Sequence, residues 1–310
     1  MKTLSTRLLI LGVGALVALS PDAWAQRQLG KKKGPTSKLY VAESTGESQI
    51  QTNDKIYTAR QATAFDAPGT IIETKADSSN AIVYSNGTAM FIDQNTRVEI
   101  NRFVQEPFKP ERNTSADTPS EPSISQSDVH VARGAVGICT NQLVSGSTMN
   151  YSTPQGSVNI RGGKVSIATD ENQTVIDLLD GDITVRGGGR DTGGQILRAG
   201  ERAIIRPGPI GQPAIMTITQ IPPAALQALD ERVASACNAK KTVTFEQIEQ
   251  RALQGLDEAA GPTGGGSTGG SDDAPAGAEG ETTPEIVAKP TVPASPPTNV
   301  VISPDRLPGG

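Results

Sequence analysis

Between residues 81 and 206 the hydrophobic positions come in short β-branched runs. They alternate with polar positions and stop at Gly, Asn or Asp about every ten residues, the mark of strands joined by tight turns. The runs are 81–84 before Asn86-Gly87, 88–92 before Asp93, 97–103, and 129–138. They continue with 157–160 before Gly162-Gly163, 164–168 before Asp170, 174–179 before Asp180-Gly181, 183–185, 195–198 and 202–206. Pairs such as Val158/Ile160, Val165/Ile167 and Ile183/Val185 turn one face of each strand to a core and leave the other wet. Gly162-Gly163 permits a sharp reversal, and Asn86-Gly87 and Asp180-Gly181 suit hairpin or coil-corner turns. The pattern predicts an all-β body over residues 39–220, built as a sandwich, a barrel or a β-solenoid.

The alternation stops over 109–127, where Pro, Ser, Thr, Glu and Arg predominate, and an exposed loop within the β body is expected there. Past the strands the period changes. Pro222 and Pro223 open a helix whose apolar positions Leu226, Leu229, Val233 and Cys237 follow helical spacing. A second short helix starts at Thr244, whose hydroxyl can cap while Gln247 reaches back, with Ile248 and Ala252 on one stripe. Both helices, over 222–254, are expected to lie as a lid on the β body. From 256 to 310 the chain is rich in Gly, Pro and acids and has no aromatic residue. It cannot bury enough apolar area to offset chain entropy and is expected to be a disordered tail.

The N-terminal residues change the picture of where this body works. Lys2 and Arg7 precede the apolar run 8–19, Pro21 breaks it, and Ala23-Trp24-Ala25 offers the small residues of a cleavage site. Residues 1–25 are therefore expected to be a signal peptide, and the protein to be periplasmic or extracellular, with no integral membrane segment after cleavage. Residues 26–38 form a basic, flexible leader with Arg27, Lys31, Lys32, Lys33 and Lys38. The whole chain has a formal net charge of −5, and removing Lys2, Arg7 and Asp22 leaves it acidic, which argues against nucleic-acid binding.

Export gives meaning to Cys139 and Cys237, the two cysteines of the chain. In 135–140 the alternation puts Val136 and Ile138 on one side of the strand and Cys139 on the other. Docking the first helix over the Cys139 face brings the thiols together, and an oxidising compartment allows them to pair. Two separately buried thiols are the alternative.

Candidate chemistry is sparse. His130 is the single histidine, and it stands in an alternating strand between Val129 and Val131, where a half-exposed structural imidazole is the expectation. No residue cluster has metal-ligand spacing, and Gly162-Gly163-Lys164 lacks the spaced glycine and Ser/Thr of a phosphate loop, so neither a metal nor a cofactor is expected. The one tryptophan, Trp24, falls in the signal peptide, and the exported chain lacks the stacking platforms usual in sugar and single-strand binding.

Several of the turn-and-strand pieces fall in the order of a known family. Thr153-Pro154-Gln155-Gly156-Ser157-Val158-Asn159-Ile160-Arg161-Gly162 resembles the most recognisable motif of the FecR family, with Thr153, Pro154, Gly156, Arg161 and Gly162 at its marked positions. Upstream, 86–92 with 95–98, and Arg133-Gly134-Ala135-Val136, resemble earlier family stretches. Downstream, 179–185 and 197–202 resemble its closing pair. By itself Thr153–Gly156 reads as a turn or the start of an edge strand, since Pro154 cannot donate and Gly156 accepts positive φ. Arg161 ends the strand, either paired with a carboxylate or carbonyl or available to a carboxylate ligand.

The resemblance implies an all-β, solenoid-like or double-stranded β-helical fold in the envelope. Typical members are transmembrane regulators with a cytoplasmic anti-sigma segment, whereas here only a signal peptide is expected before the domain. It is similar to stand-alone exported members and is expected not to be an enzyme. Two roles follow as expectations: a binding or scaffold module for an envelope protein or surface polymer, or an extracytoplasmic signalling component acting through a separate membrane partner.

Overall fold

The computed structural model describes residues 37–188, 193–209 and 212–254. The expected signal peptide, nearly all of the basic leader and the tail lie outside the described residues. Fifteen strands join one sheet: β1 (Lys38–Thr45), β2 (Ser48–Thr52), β3 (Lys55–Thr58), β4 (Ala64–Asp66), β5 (Thr70–Thr74), β6 (Ser79–Tyr84), β7 (Ala89–Ile92), β8 (Arg97–Gln105), β9 (Ser125–Thr140), β10 (Thr148–Ser152), β11 (Ser157–Thr169), β12 (Thr174–Arg186), β13 (Gln195–Leu197), β14 (Glu201–Arg206) and β15 (Ile215–Gln220). Two helices follow, α1 (Pro223–Thr242) and α2 (Phe245–Gln254).

Three long strands organise the body. The first half of β9 pairs with β8 and, in parallel, with β10, whereas its second half pairs with β7 and β11. β12 likewise pairs with β14 through its first half and β13 through its second. Side chains from both halves, among them Val129, Val131, Val136 and Ile138 of β9, enter one buried cluster. The sheet therefore turns back around a single core, and it is not closed into a barrel.

The turning points are glycines, and here the structure departs from the sequence expectation. Gly162-Gly163 does not reverse the chain, and β11 continues through it. β12 likewise continues through Asp180-Gly181, which is the coil-corner alternative of the two turns its sequence suits. The two corners face each other, Gly163 opposite Gly181, between register shifts that mark bulges. At Gly163 (φ +118°) a Cβ would meet the Asp180 carbonyl oxygen at 2.1 Å, and at Gly181 (φ +109°) it would meet the Gly162 carbonyl oxygen at 2.1 Å. Turn-type residues serve as bends in continuous strands, where bulges increase local coiling. Asn86-Gly87 is the tight turn expected, with the Gly87 N–H donating to the Tyr84 carbonyl at 2.9 Å.

β1 was not evident from alternation because it is buried on both sides. Leu39 and Val41 face the core, while Tyr40 and Ala42 face the helices. A strand covered on both faces reads as a continuous apolar run. Small residues admit the helical layer on that outer face: Ala81, Ala89, Ala236 and Ala239 are all fully buried. α1 crosses so closely that a Cβ on Gly137 would sit 2.6 Å from the Arg232 carbonyl oxygen. The buried stripe of α1 begins at Leu229 and runs through Val233 and Ala236, so Leu226, expected on the packing face, is exposed in the first turn.

α2 starts with the reciprocal cap that its sequence suggests. The Gln247 N–H donates to Thr244 Oγ1 at 3.2 Å, and the Thr244 N–H donates to Gln247 Oε1 at 2.9 Å. Thr244→Ala is expected to lower stability by about 1 kcal/mol in urea denaturation, the usual loss for an N-cap hydroxyl.

Residues 109–127 are not an exposed loop throughout. Ala116 is fully buried and donates its N–H to the Val243 carbonyl at 2.8 Å. Glu121 is buried too, accepting from the Val144 N–H at 3.0 Å and the Ser125 hydroxyl at 2.6 Å. Residues 109–124 form a strap bonded to the helical layer through Ser115, Ala116 and Asp117 and to the sheet through Ser120 and Glu121, while 125–127 already belong to β9. Polar composition suggested exposure, but buried polar groups are tolerated wherever they are hydrogen-bonded.

Candidate functional site

The outer face of β9 carries Cys139, and α1 presents Cys237 to it. The two are joined by a disulfide with Cα atoms 5.2 Å apart. Arg232 pins the same helix to the sheet, its Nε and Nη2 donating to Asp93 Oδ2 at 3.1 and 3.0 Å and its Nη1 to Ser166 Oγ at 3.2 Å. Lys240, nearly buried, pairs with Asp117 of the strap at 3.2 Å, and burial pulls its ammonium below the usual lysine range.

The motif residues form a hydrogen-bond knot. Thr153 Oγ1 accepts from the Gly156 N–H at 3.1 Å and lies 2.8 Å from Thr174 Oγ1. Gln155 Oε1 accepts from the hydroxyls of Thr169 and Thr174 at 3.0 and 2.6 Å, while its Nε2 donates to the Asp170 carbonyl at 2.9 Å. Thr153, Gln155, Thr169 and Thr174 are buried and Pro154 is exposed. The knot ties the turn before β11 to the turn after it. Gly156 is needed for space rather than for positive φ: a Cβ there would meet Ile205 Cδ1 at 2.5 Å and the Arg186 carbonyl oxygen at 2.6 Å. Gly162 belongs to the bend described above.

Arg161 is exposed, and its own carbonyl accepts from the Leu143 N–H at 2.9 Å. The expected pairing of its guanidinium is not seen among the described residues. Arg202 holds the buried ion pair instead, its Nε and Nη2 reaching the two carboxylate oxygens of Asp177 at 2.6 and 3.0 Å. Burial raises the Asp177 carboxyl above its ordinary range, and Arg202 opposes that shift.

His130 is half-buried on β9, with Nδ1 3.0 Å from Ser152 Oγ. No group of three or more His, Cys, Asp or Glu side chains suited to a metal occurs among the described residues. The Tyr84 and Ser127 hydroxyls are buried without a hydrogen-bond partner around a crevice also lined by Asn86, Thr88, Phe103, Met149 and Tyr151. That crevice is too tight to admit a water molecule, so it offers no room for a ligand. Burial pushes both tyrosine hydroxyls, Tyr84 and Tyr151, up from the usual tyrosine value.

The surface best suited to a partner is β15. It pairs with β14 on one side, and no strand among the described residues covers the other. Its sequence, Ile215-Met216-Thr217-Ile218-Thr219-Gln220, carries no charge and is bounded by Pro213 and Pro222. Ile215 and Ile218 are 56% and 37% exposed. Natural edges are usually blunted by Lys, Pro, bulges or a cover. Elsewhere β3 begins with Lys55 and β4 lies against α2, whereas β15 contains no Lys, Pro or register shift and no strand among the described residues covers its free side. An edge of this kind offers a row of main-chain donors and acceptors flanked by isoleucines. The alternation of 215–220 between two prolines was the signal that strand-by-strand reading of the sequence passed over.

Residues 70–184, from the start of β5 into β12, match the family model described as FecR protein. The match takes in the motif 153–162 and ends before 197–202. No curated protein matches the chain. Two crystal structures of a proposed anti-sigma factor from Parabacteroides distasonis are similar to it. The structure at 2.50 Å resolution has 12% identity and a TM-score of 0.36, covering 51% of this chain and 62% of that one. The structure at 1.65 Å has 11% identity and a TM-score of 0.35, covering 51% and 63%. The chain thus spans less than two thirds of either.

Proposed function

We propose that this protein is an exported, non-enzymatic module of the cell envelope that binds an envelope protein or a surface polymer through the bare edge of its sheet. The uncharged strand β15, whose outer side no strand among the described residues covers, carries this reading, because such an edge is the standard receptor for an added strand. The disulfide supports an oxidising compartment outside the cytoplasm. No helix among the described residues is long and apolar enough to cross a membrane. In this reading residues 1–25 direct export, 39–220 form the binding body, 222–254 brace it, and 256–310 act as a spacer. The long strands bent at facing glycines favour a FecR-like solenoid or double-stranded β-helix for the body. Non-enzymatic action is supported by where the reactive side chains go: His130, Asp177, Lys240 and both cysteines are engaged in internal bonds.

The FecR match favours a second role within the same frame, as an extracytoplasmic component that passes a signal through a separate membrane protein. Affinity capture from envelope extract, with wild type beside Ile218→Lys, separates the two. Loss of the captured partner with the lysine variant, at unchanged thermal stability, is expected. Recovery of wall polymer or surface proteins supports the scaffold role, and recovery of a receptor or sensor kinase supports the signalling role. Equal capture by both forms would remove the sheet edge from the account.

A further inference from the structure

We infer that β15 pairs with β15 of a second copy of this chain, forming a two-fold symmetric dimer across an antiparallel strand junction. The inference rests on the reading of β15 as the working edge and goes on to name its occupant.

Self-pairing places every residue of a strand against a residue of the same strand, so a single charge off the axis must find its opposite on that strand, and one on the axis faces itself. The run 214–220 contains no Asp, Glu, Lys or Arg, and it is neutral without needing a complement. In an antiparallel junction, residues directly opposite must lie on the same face of the sheet. Centring the two-fold on Thr217 pairs all of 214–220. Thr217 then faces Thr217, Met216 faces Ile218 twice, Ile215 faces Thr219 twice, and Ala214 faces Gln220 twice. These are apolar, β-branched and hydroxyl pairs, the kinds that stabilise neighbouring strands. A centre on Ile218 keeps only 216–220 in register and leaves Ile215 unmatched.

The burial of each face agrees. Ala214 and Met216 pack against the core, and β15 sets Met216 opposite Ile205 and Ile218 opposite Ala203. Ile205 and Ala203 are fully buried, whereas Ile218 is 37% exposed. The core layer therefore runs out at β15, and a second copy continues it by setting its Met216 beside Ile218. An isologous contact of this type closes on itself and stops at two chains. A six-residue strand junction lies at the small end of specific interfaces, so the dimer is expected to dissociate in the micromolar range.

Sedimentation equilibrium of the full exported chain, from about 1 to about 200 μM to bracket a weak interface, tests this. The expected result is a mass rising from one chain to two. Thr217→Lys, which sets two ammonium groups face to face, is expected to weaken association at least tenfold by like-charge repulsion and desolvation. Thr217→Cys keeps the edge neutral and provides a second readout, since directly opposed residues have Cα separations within reach of a disulfide. Mild oxidation is expected to link Thr217→Cys chains into covalent dimers and to leave Ile56→Cys chains, altered at another exposed position, as monomers. A monomer at every concentration would overturn the inference. So would a dimer indifferent to Thr217→Lys, or outward amides of β15 protected from exchange in the monomer, which would mean that the chain's own residues close the edge. Capture of an envelope partner by the monomer through β15 overturns the second copy as occupant while sustaining the proposed function. Dimerisation through β15 with no further envelope partner recovered sustains both, the second copy being the envelope protein bound at the edge.

Discussion

Replacing Cys139 and Cys237 together by serine is expected to lower the unfolding free energy by about 4 kcal/mol, within the range of about 2–5 typical of native disulfides. The crosslink spans a sequence separation of 98, so the unfolded chain loses much of its freedom when the bond is present. The loss concentrates in one place, because the bond crosslinks the sheet to a helical layer otherwise held by apolar packing and by the ion pairs of Arg232 and Lys240. Equilibrium denaturation in guanidinium should show the fall in midpoint. Hydrogen exchange should show α1 and α2 losing protection before β9, β11 and β12. Unchanged stability of the double variant would mean that the helices are held by packing alone.

The second large effect is expected at the buried pair of Arg202 and Asp177. Asp177 has only 3% of its side chain exposed and receives both donors of the guanidinium fork. Arg202→Met leaves that carboxylate buried without its partner, and the expected destabilisation is about 3–5 kcal/mol at neutral pH. The combined Asp177→Asn, Arg202→Met form should recover a large part of it, since no buried charge remains. The pH dependence separates charge from packing. The folded carboxyl is raised above its ordinary 3.8, so the native state holds the proton more tightly than the unfolded chain. The contribution of this group is present at low pH and is lost as pH rises through the folded value. Removing Arg202 raises that value further, so Arg202→Met should lose stability with rising pH more steeply than wild type. Parallel pH profiles for the two proteins would show that the arginine acts through its packing.

The all-β class and the positions of the central strands were legible because most of those strands have one wet face, and alternation records that difference directly. The thiol pair was legible for the same reason: parity placed Cys139 opposite Val136 and Ile138, and helical spacing placed Cys237 beside Val233. What parity does not record is whether a Gly-Gly or Asp-Gly pair reverses a strand or bends it. Gly163 and Gly181 bend theirs because each lies against the other's backbone, a relation between residues distant in sequence. The strap at 109–124 was hidden because its buried Glu121 is satisfied by Ser125 of β9 and the Val144 N–H, and composition does not reveal satisfaction. The edge at β15 was missed although its residues alternate, because an edge is defined by what fails to pair with it. The motif 153–162 was read at its ends rather than at its centre. Its structural weight falls on Gln155 with Thr153, Thr169 and Thr174, whereas Arg161 points to solvent.

In-cell photocrosslinking from position 217 tests the central claim most directly, because it asks whether β15 is the surface at which this protein meets another molecule. A photoreactive residue at Thr217 should give a discrete adduct, whether to a second copy or to an envelope component, and the same residue at Ile56, also exposed, should give none. Adducts from position 56 with silence at 217 would contradict the account.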